Sequence, residues 1–519
     1  VIPHSRRGTA WRFVLAAVLV IASTAATTAV AGLLQVNTLV HFISYHPGIK
    51  SKLIKLPAPG APQTILVIGS DHRAGAPVRG ANTDTILLVR LNASSSTINV
   101  MSIPRDLQVS IPGFGIAKIN AAYSDGGYNL LIRTIQQNVF PAFKPNHIVD
   151  TNFSGFSDLV DAIGCVYSDV DHRYYNDSNS GIPGDDYSSI DIQPGYQKLC
   201  GDHQSVHGAL PFVRFRHTDS DLVRNARQQD FIRWAKDQFP ISKLYGERDK
   251  LLRIFGKHST LDKGLQSTDG IINLFDLVLN SDGNTIKQIR FPADLQPCTA
   301  TSCYVTASQA LEKQAYARFI APTAKKQSQS QTKATPTSAK GHKHLNHIPT
   351  AGLTLDMADG RSQAAQLAKL AMPIYFPRFI KAGSSGLNDT YCLSLTGNCA
   401  PGAEPASEYA HSYPRAYVIR DMQGHPHAAY RMTLALNPLL GQYYGVQGTT
   451  WKHPPLLASP SGTRDVAGRR LYLYANGGRL TTVAWHTRQA VYWISNTLTT
   501  DIPNQQMVGI AASLTRARG

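Results

Sequence analysis

Apolar positions between residues 60 and 110 fall in three short runs, TILVIG at 64–69, TDTILLVRL at 83–91 and TINVMSI at 97–103. Each is rich in β-branched residues and bounded by turn formers, the pattern of buried strands. The polar NASSS between the second and third runs predicts that those two strands are neighbours in one sheet. The period then changes. Leu130, Leu131, Thr134, Ile135 and Val139 form a helical stripe, HIVDTN at 147–152 reads as another strand, and FSDLVDAIG at 156–164 is a short amphipathic helix stopped by Gly164. Helices interspersed with strands predict an α/β architecture, a central mainly β-sheet sandwiched by helices.

Two further segments combine pattern with charge. PFVRFRH at 211–217 alternates apolar and basic residues, so a strand there would put Val213 and Phe215 on one face and Arg214 and Arg216 on the other. DSDLVRNARQQDFIRWAKDQF at 219–239 reads as a helix capped by Asp219 or Ser220, with Arg224, Arg227 and Gln228 at i, i+3 and i+4 on one face. Arg105 follows Pro104 at the end of the third strand, where sites on sheets commonly lie.

The ends of the chain are organised differently. From Phe13 to Leu34 no residue is charged, and Arg6, Arg7 and Arg12 stand just before the run. As a helix these residues would span roughly 33 Å, enough for a hydrocarbon core of about 30 Å, with the N-terminus cytoplasmic and the remainder exported. A cleaved signal peptide competes with this reading, since Ala29-Val30-Ala31 supplies a small-x-small site. The expected division is a cytoplasmic tail at 1–12, a transmembrane anchor at 13–34, a juxtamembrane linker at 35–61, a catalytic domain at 62–322, a basic linker at 323–350 and a β-rich domain at 351–519. In that last domain YRMTLALN, RRLYLYANGGRLTTVAW and AVYWISNTL read as strands, with Asn476-Gly477 as a hairpin turn and Pro503 opening a final helix. No role for 351–519 is legible.

Charge changes the picture only when divided by region. The formal net charge is +17, yet residues 60–322 carry 25 basic and 26 acidic groups. The excess flanks a nearly neutral domain, which argues against nucleic acid and for an anionic membrane or wall surface. Six cysteines, Cys165, Cys200, Cys298, Cys303, Cys392 and Cys399, fall into three sequence-local pairs. An even number outside the cytoplasm favours disulfides, with fifteen pairings open. Zinc is the competing reading, but the usual CxxC spacing is missing. His342, His344 and His347 lie in the basic linker without a carboxylate or cysteine beside them.

The chemistry concentrates in the neutral domain. Arg105, Arg214, Arg216, Arg224 and Arg227 form a set whose mutual repulsion requires an anion. The planar guanidinium fork suits phosphate. Asp71 after the first strand and Asp84 at the start of the second supply two carboxylates, which either pair with the arginines or hold Mg²⁺ against phosphate oxygens. Asp106, next to Arg105, is placed to orient that arginine or to assist deprotonation of an acceptor hydroxyl, and orientation is the favoured role.

IGSDHRAG (68–75), NTDT (82–85), MSIPRDLQVSIPGFGIAKINAAY (101–123), GFSDLVDAIGCV, PFVRFRH and DLVRNARQQ, in this order, closely resemble the LytR-CpsA-Psr family over roughly residues 62–322. The resemblance implies a membrane-anchored phosphotransferase acting outside the cytoplasm. It would move a glycan-phosphate from a polyprenyl-pyrophosphate carrier to a peptidoglycan hydroxyl. By that likeness Asp71, Asp84 and Arg105 are catalytic, and Asp71 and Asp84 hold Mg²⁺, with Mn²⁺ as a substitute. Arg105, Arg214, Arg216, Arg224 and Gln228 grip the pyrophosphate, with Arg73, Lys118 and Arg227 in supporting places. The polyprenyl tail would lie in an apolar tunnel whose lining no sequence feature identifies.

Three other readings use the same residues: a noncatalytic binder of the lipid or the wall polymer, a pyrophosphate hydrolase, and a transcriptional regulator. The last is disfavoured because only twelve residues precede Phe13.

Overall fold

The computed structural model describes residues 40–517 apart from 59, 71–79, 82, 93–96, 177–188, 202–205, 216–218, 240–247, 268, 271–272, 274–284, 296–303, 322–344, 346 and 387–413. The apolar run at 13–34 lies outside these residues, and among those described no helix is long and apolar enough to cross a membrane.

The three predicted runs form β1 (Gln63–Ser70), β2 (Thr83–Asn92) and β3 (Thr97–Ile103). A small hairpin follows, β4 (Gln108–Ile111) with β5 (Gly115–Lys118), and HIVDTN is β6 (His147–Asn152). Val166–Val170 (β7) pairs with Gly195–Leu199 (β8). Ser259–Leu261 (β9) and Thr285–Gln288 (β10) complete the main sheet, whose order is β9-β6-β1-β2-β3-β10. β1 runs parallel to β6 and β3 parallel to β10, while β1–β2, β2–β3 and β6–β9 are antiparallel.

Among the described residues six helices cover it: α1 (Ala121–Thr134), α2 (Phe153–Ile163), α3 (Ala209–Arg214), α4 (Asp221–Gln238), α5 (Arg248–His258) and α6 (Gln309–Ile320). Both faces of the sheet are buried, so its strands are apolar at successive positions rather than alternate ones. Ile65, Leu87 and Val89 pack with α2, α3, α4 and α5. Leu66, Ile68, Ile86 and Leu88 point the other way, into the core with α1 and α6. The α2 helix starts at Asn152, whose side chain accepts the Gly155 N–H at 2.9 Å, and ends at Gly164 in the left-handed region with φ 101°. Cys165 and Cys200 are disulfide-bonded, linking the end of α2 to the end of β8. The other four cysteines lie outside the described residues.

One predicted strand is a helix. Residues 211–214 of PFVRFRH belong to α3, which begins after Gly208, tolerates Pro211 in its first turn and gives way at Phe215 to extended backbone with ψ 134°. Alternation over six residues does not separate a strand from a short helix, and packing decided for the helix by burying Phe212 and Val213. The two-arginine strand face is therefore not formed.

The C-terminal region is β-rich, as its pattern predicts. Its strands are β11 (Ser385–Gly386), β12 (Arg415–Arg420), β13 (Pro426–Asn437), β14 (Gln442–Thr449), β15 (Gly462–Val466), β16 (Arg469–Asn476), β17 (Arg479–His486) and β18 (Val491–Ser495). They form one sheet in the order β11-β13-β14-β18-β17-β16-β15, with β12 also on β13. The hairpin between β16 and β17 turns at Gly477 and Gly478, with φ 56° and 86°, the double positive φ that excludes larger residues. Asn504–Ala512 (α7) covers one face. The other face docks on the first domain, where fully buried Arg431 of β13 pairs with Asp169 of β7 at 3.3 Å. Trp493 Nε1 donates to the same carboxylate at 3.2 Å, and Thr433 donates to the Asp171 carbonyl at 3.0 Å.

Candidate active site

An apolar cavity of about 150 Å³ lies between the sheet and helices α2, α4 and α5. Val67, Leu87, Phe153, Phe156, Phe231 and Phe255 are among its walls, and one end is polar, formed by Asp84, Thr85, Arg214 and Gln228. Asp84 sits at the start of β2, beside the C-terminal end of β1, and is 8% exposed. Its Oδ1 accepts from Arg105, and its Oδ2 accepts from Arg214 Nε at 3.3 Å. Two guanidiniums thus converge on one carboxylate where the apolar walls end.

Each group is held by local structure. Arg105 leaves the end of β3 after Pro104. Arg214 ends α3, and its guanidinium lies 4.1 Å from the centroid of the Phe153 ring, a cation–π contact that fixes its direction. Gln228 of α4 bridges, donating to the Val213 carbonyl at 3.2 Å and accepting from Thr85 Oγ1 at 3.2 Å. The α4 helix begins at Ser220, which accepts the Val223 N–H at 3.3 Å, so of the two anticipated caps Ser220 is the one used.

Arg224 and Arg227 share the predicted face of α4 with Gln228 but point into protein. Arg224 is 1% exposed and pairs with Asp221 one turn earlier. Arg227 is fully buried, pairs with Asp219, and lies over the Tyr174 ring at 4.5 Å. It also donates to the carbonyls of Phe212 and Phe215 at 3.0 and 2.8 Å, closing the C-terminal end of α3. Neither lines the apolar cavity. Lys118 on β5 pairs with buried Asp106 at 3.0 Å. Asp71, Arg73 and Arg216 lie outside the described residues.

Several participants carried no signal of their own. Asp150, at 1% exposure on β6, accepts from Ser70 and Tyr128 at 2.8 Å each and from Tyr123. Burial and that carboxylate together push both tyrosine hydroxyls far above their usual range. This network fixes the end of β1 immediately before Asp71. The cavity walls come from seven elements spread over nearly two hundred residues, and only the Phe153-x-x-Phe156 spacing at the start of α2 hints at them.

The family model for the LytR_cpsA_psr family matches residues 43–319, more than half of the chain. TagT of Bacillus subtilis strain 168, a polyisoprenyl-teichoic acid–peptidoglycan teichoic acid transferase, is 28% identical over 210 residues, 40% of this chain and 62% of the relative. The regulatory protein MsrR of Staphylococcus aureus strain COL is 30% identical over 176 residues, 34% of this chain and 48% of the relative. The chain thus spans about half to three-fifths of the length of these curated relatives. Among solved structures, TagV of B. subtilis is 20% identical with a TM-score of 0.38, covering 50% of this chain and 97% of that one. TagT with bound octaprenyl pyrophosphate lipid is 23% identical with a TM-score of 0.35, covering 53% and 98%. The ordered motifs, the helix-covered mixed sheet and the extent of the family match agree: this chain belongs to the LytR-CpsA-Psr family.

Proposed function

We propose that the chain is a phosphotransferase outside the cytoplasm, anchored by residues 13–34, that attaches a cell-wall glycopolymer to peptidoglycan from a polyprenyl-pyrophosphate carrier. The observation that carries this reading is the junction of an apolar cavity with Asp84, Arg105 and Arg214. Such a junction suits a ligand with a long apolar tail and an anionic head. Its relative TagT, a polyisoprenyl-teichoic acid–peptidoglycan teichoic acid transferase, acts on a substrate of that same form.

In this reading Arg105 and Arg214 exchange Asp84 for diphosphate oxygens, and Gln228 steadies the end of α3 that presents Arg214. The acceptor hydroxyl oxygen attacks the phosphorus that bears the glycan. A new P–O bond forms, the bridging P–O bond to the lipid phosphate breaks, and the lipid monophosphate leaves with the bridging oxygen while the hydroxyl proton passes to solvent. Asp84 keeps lone pairs beyond the two its guanidinium partners use, so it fits a divalent cation, with Asp71 as the second holder. Bound there, Mg²⁺ or Mn²⁺ would neutralise charge developing on the phosphates. Asp106, engaged by Lys118, serves the strand end from which Arg105 emerges rather than the acceptor proton.

The test incubates the full chain in detergent micelles with Mg²⁺, a lipid-pyrophosphate-linked glycan and peptidoglycan fragments. Mass spectrometry is expected to find a phosphodiester-linked conjugate. Free glycan phosphate without conjugate would instead identify a hydrolase, and unchanged donor bound to the protein would identify a binder.

A further inference from the structure

A second cavity, of about 410 Å³, lies where the two domains meet and shares no lining residue with the apolar one. The first domain contributes Ser102 and Pro104 from the end of β3, Asn225, Gln229 and Asp230 from α4, the segment following β10, and Arg318 of α6. The C-terminal domain contributes the tip of the β16–β17 hairpin and residues 498–500. The hairpin tip is fastened across the gap, Asn476 donating to the Gln288 side chain. The buried pairing of Arg431 with Asp169 holds the two domains together elsewhere, so the cleft is built into the docked arrangement.

Its charge is one-sided. Among the described residues Lys287, Arg290, Arg318 and Arg479 line it, against the single carboxylate of Asp230. Asp230 is already engaged by Arg233 at 2.7 Å. Arg290 comes only within 4.0 Å of Asp501. Arg318 and Arg479 donate to backbone carbonyls, of Gln314 and Thr500, and neither they nor Lys287 form an ion pair with a carboxylate among the described residues. Between the cations stand neutral hydrogen-bonding groups, Asn225, Gln229, Thr481 and Thr499. Gathered cations without counter-ions favour an anion. Alternating amides and hydroxyls suit a sugar chain, and among the described residues no exposed aromatic lines the cleft for a base to stack on.

We propose that this interdomain cleft binds an anionic glycan strand, with Lys287, Arg290, Arg318 and Arg479 meeting its carboxylates or phosphates and Asn225, Gln229 and Thr481 its hydroxyls. Pro104 lines the cleft and is bonded to Arg105, whose guanidinium rests on Asp84, so a strand lying here passes beside the candidate reaction centre. The C-terminal domain thereby gains a role, completing a polymer subsite. The inference deepens the proposed transfer reaction and rests on it for the identity of the strand. The strand's source is either the peptidoglycan acceptor or the glycopolymer of the donor.

The test measures binding of two fluorescently labelled probes to the full chain in detergent micelles, lysozyme-released peptidoglycan fragments and a poly(glycerol phosphate) chain, with neutral dextran as control. At least one anionic probe is expected to bind, more weakly as salt rises, and the one that does names the source. Arg318→Glu with Arg479→Glu should weaken that binding at least tenfold, and the milder Arg318→Gln with Arg479→Gln severalfold. Binding of a polyprenyl pyrophosphate that carries no glycan, and the melting temperature, should remain unchanged. Dextran binding as well as the anionic probes, or charge reversal without effect on a folded protein, would overturn the cleft assignment. Cleft binding that responds to charge reversal in a wild type that transfers nothing would overturn the reaction and leave the cleft standing.

Discussion

Arg227 donates a hydrogen bond to the carbonyl oxygen of Phe215, twelve residues before it in the chain, at 2.8 Å. A guanidinium with no exposed surface thus terminates a neighbouring helix and, through that helix, aims Arg214 at Asp84. Its charge is balanced by Asp219 and its faces are covered by Tyr174 and Phe212. Arg227→Ala strands a buried carboxylate and two carbonyls, so chemical denaturation should show a loss of about 3–5 kcal/mol. Arg227→Lys should recover little of it, because a point charge cannot serve the carbonyls and Asp219 together. A folded, fully stable Arg227→Ala protein would show that the carbonyls find other donors.

Arg105 and Arg214 compete with any cation for the two oxygens of Asp84, and a phosphate competes with Asp84 for the two guanidiniums. Asp84→Ala should therefore lower transfer by about a hundredfold or more. Metal-free donor binding should hold or tighten, since both guanidiniums are released toward the diphosphate. Isothermal titration paired with single-turnover transfer separates these effects. Equal transfer by wild type and variant would remove Asp84 from the chemistry.

Removing the guanidinium of Arg105 should act on the rate more than on binding. Arg105→Ala is expected to reduce turnover about a hundredfold to a thousandfold with a modest change in donor affinity. Arg214→Ala, whose side chain is one-third exposed, should weaken donor binding more evenly. Parallel changes in KM alone for both variants would assign them to uniform binding.

Four strands of the main sheet, β1, β2, β3 and β6, were legible because each is an apolar, β-branched run, whereas the short edge strands β9 and β10 carry no such pattern. The α4 helix was legible because Ser220 and the three- and four-residue spacing of its arginines mark it. The direction of those arginines was not legible. Spacing that puts Arg224 and Arg227 on the face of Gln228 also sets Asp221 one turn before Arg224, and the acids win both guanidiniums inside the protein. Local pattern failed at α3 for a related reason: six residues hold too little periodicity to choose between strand and helix, and the choice was made by Arg227 and the burial of Phe212. The apolar cavity exists only after β1, β2, β6, α2, α3, α4 and α5 assemble, so no single segment announces it.

The Cys165–Cys200 bond closes a loop with a sequence separation of 35 residues that carries β7 and β8, on which the C-terminal domain docks. By the chain-entropy model this closure is worth roughly 4 kcal/mol. A Cys165→Ala, Cys200→Ala variant should melt lower, and limited proteolysis should cut first between these positions. An unchanged melting temperature would mean that the loop is held by its contacts with the second domain.

Glu312 gives the fold a pH dependence that can be assigned to one residue. It lies in the first turn of α6 at 3% exposure, and burial alone pushes its carboxyl up to about 7 from an ordinary value of 4.5. The folded protein therefore holds this proton more tightly than the unfolded chain does. Below about 4.5 the group is protonated in both states and imposes no penalty. As pH climbs from there through about 7 the folded state loses stability, because it must either retain a proton the unfolded chain has released or bury a charge. Glu312→Gln removes the titration while keeping the shape. Urea denaturation should find the variant more stable than wild type by about 1–3 kcal/mol at pH 8 and nearly equal to it at pH 4. An equal difference at both pH values would show that the substitution acts through packing and that the carboxyl does not titrate with folding.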